Sequence, residues 1–124
     1  MTEISMHRIL RRIEVWDSDY GGLDEIAVAE SDRSRADVVT SQLAEDPRLH
    51  APLFDLDIPH FYYPSSTQGH GHLYLDKPVT WRAFKRVLRA MWKAGLIEKG
   101  YYQATKRRGY ATLRLPEKPK EERR

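Results

Sequence analysis

Two short runs hold most of the side chains able to do chemistry: Phe54-Asp55-Leu56-Asp57-Ile58, and Pro64-Ser65-Ser66-Thr67-Gln68-Gly69-His70-Gly71-His72-Leu73-Tyr74-Leu75-Asp76. Read as strands, in which successive side chains point to opposite faces, the first places Asp55 and Asp57 together and Phe54, Leu56 and Ile58 opposite them. The second places His70, His72, Tyr74 and Asp76 on one face and Leu73 and Leu75 on the other. An Asp-x-Asp pair offers carboxylate oxygens to a hard divalent cation, whose remaining ligands come from water and phosphate. The small residues of Ser-Ser-x-x-Gly-x-Gly-His let backbone N–H groups approach an anion, beside a histidine able to donate to it. The chemistry suggested is that of phosphate. The same residue types have plainer uses, as a solvated strand edge, a turn cap or a flexible loop.

An hhDhD strand followed by a Ser- and Gly-rich turn that runs into Gly71-His72-Leu73-Tyr74 resembles the first two motifs of the archaeo-eukaryotic primase superfamily, in particular its bifunctional primase-polymerase domains. The resemblance implies catalytic roles for Asp55, Asp57 and His72, with Mg²⁺ or Mn²⁺ held by Asp55, Asp57 and a third acidic residue, for which Asp76 and Glu98 are the candidates and Asp76 the choice. It implies nucleotide contacts from Ser65, Ser66, Gly69, His70 and His72. Only 15 positions separate Asp57 from His72, so the form implied is a reduced one. Leu113-Arg114-Leu115-Pro116 resembles a late segment of those domains. The chain is also similar to small proteins of actinobacterial phages, a likeness that implies no activity.

With 124 residues, 40% of them hydrophobic and 31% charged, the chain has the balance of one modest globular core. The absence of cysteine removes disulfide frameworks, thiolate zinc sites and cysteine nucleophiles. No apolar run is long enough to span a membrane, so a cytoplasmic protein is expected, in a bacterial host if the gene belongs to a phage. The net charge of +3 conceals an asymmetry: residues 1–80 hold 7 Lys and Arg against 14 Asp and Glu, whereas residues 81–124 hold 14 against 4. A segment at +10 suits a phosphate-rich partner, or else an acidic surface of the same or another protein.

The periodicities predict a strand over residues 7–16, a turn at Tyr20-Gly21-Gly22 and an ambiguous segment from Leu23 to Glu30. They then predict a helix from Ser34, capped by Ser34-x-x-Asp37, with Ala36, Val39 and Leu43 inward and Pro47 as its stop. Strands follow at Leu53–Ile58 and His70–Leu75, separated by a loop over Pro59–Gly69. Thr80 caps a helix with Trp81, Phe84, Leu88 and Met91 inward and Arg82, Arg86, Arg89 and Lys93 outward, ended by Gly95. Tyr101–Thr105 and Tyr110–Leu115 read as a hairpin around Lys106-Arg107-Arg108-Gly109. The expectation is an α+β fold, a ferredoxin-like or RRM-like split β-α-β unit whose antiparallel sheet has helices on one face and ends in a basic hairpin. It would form one primase-palm-like domain over residues 1–116, with a disordered charged tail at 117–124. Phe54, Leu56, Ile58, Leu73, Leu75, Trp81, Phe84 and Leu88 are its expected core.

The leading functional expectation is a nucleic-acid-associated protein with a miniature primase-polymerase-like site, with or without catalysis. Arg82, Arg86, Lys106, Arg107 and Arg108 would hold single- or double-stranded nucleic acid, with Tyr101, Tyr102 and Tyr110 as stacking faces. One alternative is a DNA-binding or host-protein-binding module without catalysis. Another is a single-strand nuclease of the His-x-His type, with His70 and His72 on a metal and Tyr101 or Tyr102 as nucleophile.

Overall fold

The computed structural model describes residues 7–15 and 26–118; the expected turn at residues 20–22 and the end of the expected tail lie outside them. The protein is a small α+β protein, with five strands in two antiparallel sheets followed by two C-terminal helices. The chain divides into two compact units, Met1–Asp55 and Leu56–Arg124. None of the described helices is long and apolar enough to cross a membrane.

The first unit is a three-stranded antiparallel sheet in the order β2-β1-β3, formed by β1 (Arg8–Val15), β2 (Ile26–Ala29) and β3 (Val38–Leu43). The expected strand is formed by β1, where residues 8–12 are all half-buried and Ile13 is buried. A helix was expected where β3 runs. Val38, Val39 and Thr40 are β-branched and favour a pleated surface over a helical turn. The residues expected to cap that helix serve the sheet instead. The Ser34 N–H and hydroxyl both donate to Asp32 Oδ1 in a local turn, at 3.0 and 2.8 Å. Asp37 Oδ2 accepts the Ile13 N–H at 2.7 Å, and the Thr40 hydroxyl donates to the Ile9 carbonyl across the sheet at 2.7 Å.

Leu53–Ile58 is not a strand. Pro52 and Pro59 bracket it and remove two of the donors a ladder would need. Phe54, expected inside, is 77% exposed and Leu53 is also exposed, while Leu56 and Ile58 are half-buried.

The second unit opens with a hairpin of β4 (His60–Pro64) and β5 (Gly71–Leu75), paired from His60 with Leu75 to Pro64 with Gly71. β4 falls in the expected loop, because its aromatic run Phe61-Tyr62-Tyr63 is a strong strand former, with Pro59 just before the strand and Pro64 as its last residue. The helix α1 (Trp81–Lys93) starts as expected, with Thr80 Oγ1 accepting the Ala83 N–H at 3.1 Å. It ends at Gly95, whose φ of 78° is in the left-handed region. The expected C-terminal hairpin is instead a helix, α2 (Lys99–Arg108), followed by residues without regular structure. Gln103, Ala104, Lys106, Arg107 and Arg108 are good helix formers, and Gly109 at φ 88° closes the last turn with its N–H on the Thr105 carbonyl. α1 packs on α2 through Leu88, Tyr102 and Thr105, all buried, and through Trp92, whose ring stacks on Tyr102 at 4.9 Å. The described elements thus run strand, strand, strand, strand, strand, helix, helix, and not in the alternating order of a complete split β-α-β unit.

Candidate functional site: the hairpin turn and a basic helix pair

In the hairpin, partners across the ladder share a face, so Phe61, Tyr63, His72 and Tyr74 lie on one side and His60, Tyr62, Leu73 and Leu75 on the other. The covered side is the reverse of the one expected. His72 and Tyr74 are half-buried, whereas Leu73 and Leu75 are each about half exposed. Tyr63 meets Tyr74 edge-on at 5.6 Å. The Tyr74 phenol lies near Tyr101 of α2, and its hydroxyl is buried with no hydrogen-bond partner among the described residues. On that face His72 and Tyr74 are the half-buried residues while Phe61 and Tyr63 stay exposed, and the leucines are exposed on the other. On the open side the Tyr62 ring lies over Gly71 so closely that a Cβ there would clash with it.

The turn between the strands holds most of the residues assigned to nucleotide contact. The Ser65 N–H donates to the His70 carbonyl and the His70 N–H to the Thr67 carbonyl, both at 3.0 Å. Ser65 Oγ accepts the Thr67 N–H at 3.1 Å, and Gly69 takes a φ of 80°. Ser65 therefore works mainly within the turn. Ser66, Gly69 and His70 are exposed, and the backbone N–H groups of Ser66, Gln68 and Gly69 donate to no acceptor among the described residues. Asp76 lies at the base of the hairpin, its N–H on the Pro59 carbonyl at 2.9 Å.

The two aspartates are less organised. Asp55 ends the first unit and Asp57 belongs to the second; both are exposed on irregular chain. Among the described residues no three His, Asp or Glu side chains stand together so as to hold a metal ion. The set Asp55, Asp57 and Asp76 is therefore not assembled as a cage, and no step below runs through Mg²⁺ or Mn²⁺.

The helices tell a different story. α1 and α2 carry nine Lys and Arg and no acidic residue. Arg82, Arg86, Lys106, Arg107 and Arg108 are all exposed, as are Arg89, Lys93 and Lys99. None of the nine is in an ion pair: every ion pair among the described residues lies in Met1–Asp55, on Glu14, Glu30, Glu45 or Asp46. Divided at the unit boundary, Met1–Asp55 has 6 Lys and Arg against 12 Asp and Glu, and Leu56–Arg124 has 15 against 6, nets of −6 and +9.

The tyrosines considered for stacking or attack are differently placed. Tyr102 is buried under Trp92, Tyr101 is half-buried, and Tyr110 is exposed with the Arg108 guanidinium over its ring at 5.7 Å. Burial raises the Tyr101 phenol above its ordinary pKa, with Arg108 opposing that rise. Phe61, Tyr62 and Tyr63, in a segment read as loop, are also exposed. Lys99 and Gln103 were also missed. Only a helical reading of residues 99–108, signalled by Gly109, puts them on one face with Lys106 and Arg107. Comparison with protein-family models, curated proteins and solved structures gives no match for this chain.

Proposed function

We propose that this protein binds nucleic acid through its second unit, with the α1–α2 pair holding the phosphate backbone. The observation that carries the reading is the set of nine helix cations with no carboxylate partner among the described residues, in a unit of net charge +9. Keeping so many like charges together without neutralisation costs stability by self-repulsion, and a polyanion offsets that cost by releasing its counterions. The turn Ser65–His70 adds a phosphate contact, through the free N–H groups of Ser66, Gln68 and Gly69 and the imidazole of His70. This is the role that the primase-polymerase resemblance suggests for the segment. The consecutive strand, strand and helix β4, β5 and α1 match part of a ferredoxin-like or RRM-like unit, consistent with a reduced palm used for binding.

Titrating labelled single- and double-stranded DNA at two salt concentrations tests the proposal. Binding should be measurable at low salt and fall steeply as salt rises, because each neutralised phosphate adds close to one unit of log–log slope. No binding at low salt would end it. That result would favour a protein-binding module, the reading supported by the open apolar face of Tyr62, Leu73 and Leu75.

A further inference from the structure

We infer that α2 is a base-reading helix that enters the major groove of duplex DNA, with Gln103, Lys106 and Arg107 facing the base edges. The inference rests on the nucleic-acid reading above and specifies its ligand. α1 and α2 form two helices joined by a short turn containing Gly95, and their shared core of Leu88, Trp92, Tyr102 and Thr105 fixes which way α2 faces. Residues 101, 102 and 105 turn toward that core. At 100° per residue the opposite arc carries Lys99, Gln103, Lys106 and Arg107, all exposed.

The chemistry of that arc is selective. The Gln103 side chain has no hydrogen-bond partner among the described residues, and it lies exposed beside Lys106 and Arg107 on the same helix. A glutamine amide matches the paired donor and acceptor on the major-groove edge of adenine, and arginine or lysine matches the two acceptors of guanine. With 10 residues α2 is about 15 Å long, and the major groove, about 12 Å wide, admits a helix. Single-strand binding depends instead on exposed stacking platforms, and the aromatic residues of α2 point inward. The cations of α1, with Arg82 and Arg86 foremost, would then lie against the phosphates, as the first helix of such a pair does.

The test is selection of duplexes from a randomised pool by the full chain. Affinities are then measured for the selected duplex, a scrambled duplex and one matching single strand. The expected result is a preferred sequence. Gln103→Ala should lose discrimination at one position by roughly 5- to 150-fold while keeping its affinity for the scrambled duplex. Arg82→Ala should weaken binding to all duplexes by a similar factor. A pool that returns no preferred sequence, or a single strand that outcompetes every duplex, overturns base reading and leaves salt-dependent binding standing. Failure to bind any nucleic acid overturns both.

Discussion

The two units of this chain treat charge in opposite ways. In Met1–Asp55 most of the cations are tied to acids or backbone: Arg12 lies 3.4 Å and Arg35 3.8 Å from Glu30, Arg48 bonds Asp46 at 3.0 Å, and Arg8 donates to the Ala51 carbonyl at 2.7 Å. The Asp46 carboxyl is held below its ordinary pKa by that hydrogen bond. In Leu56–Arg124 the helix cations have no carboxylate partners among the described residues; Lys93 lies over Trp92, Lys106 over Tyr102 and Arg108 over Tyr110, and Arg108 also donates to the Thr112 hydroxyl at 3.2 Å. A surface that satisfies its own charges has little to offer a charged ligand. A surface that leaves them free is built to meet one.

The largest expected effect falls on the core that presents those cations. Leu88 is only 5% exposed, and Leu88→Ala should cost about 2–5 kcal/mol through lost burial and the cavity left behind. Hydrogen exchange should show α1 and α2 losing protection while β1–β3 keep theirs; equal loss in both would show that the units do not fold independently. The matching perturbation of the first unit is Asp37→Ala, which strips the Ile13 N–H of its acceptor and should cost about 1–3 kcal/mol by denaturant unfolding. An unchanged midpoint would mean that water replaces the carboxylate there.

Two smaller effects sharpen the account of the second unit. Thr105 is fully buried and its hydroxyl has no partner among the described residues; the Tyr101 phenol one turn earlier comes close without completing a hydrogen bond. Thr105→Val should therefore raise stability by about 1 kcal/mol, and a loss would show that the hydroxyl is bonded after all. Tyr101 itself links stability to alkaline pH. Its folded pKa lies above the ordinary 10.0, so the folded state keeps a proton that the unfolded chain releases. The associated stability is complete below that value and is lost as pH rises past it. Unfolding titrations on either side of pH 10.0 should show a shallower decline for Tyr101→Phe than for the native chain.

How much was legible in the sequence follows from which signals were local. α1 was readable because its cap, apolar spacing and terminal glycine all lie within the helix or directly beside it, and β5 because its alternation is short and clean. The covered face of β5 was not readable. Hydropathy sends Leu73 and Leu75 inward, but Tyr63, Tyr74 and Tyr101 decide the matter from three separate elements. At residues 34–43 a capping pattern competed with a β-branched run, and Asp37 was claimed by Ile13 from another strand. α2 was hidden because Tyr101, Tyr102 and Thr105 suit a strand as well as a helix; the helix formers around them and Gly109 favour the helix, and the stack of Tyr102 on Trp92 holds it. Of the site, the turn residues and the basic residues were legible one by one. The gathering of Gln103 with Lys106 and Arg107 required the helix.

The central claim, that the unpaired cations of the second unit are what this protein uses on its partner, is tested most directly by comparing two charge-neutralised variants in DNA-binding titrations across a range of salt. One carries Arg82→Gln, Arg86→Gln, Lys106→Gln and Arg107→Gln; the other carries Arg12→Gln, Arg35→Gln and Arg48→Gln. The first should lower the log–log salt slope by about one for each phosphate that is no longer neutralised, up to about four, and reduce low-salt affinity accordingly. The second should bind like the native chain. Equal reductions in both variants, or a slope unchanged in the first, would contradict the account.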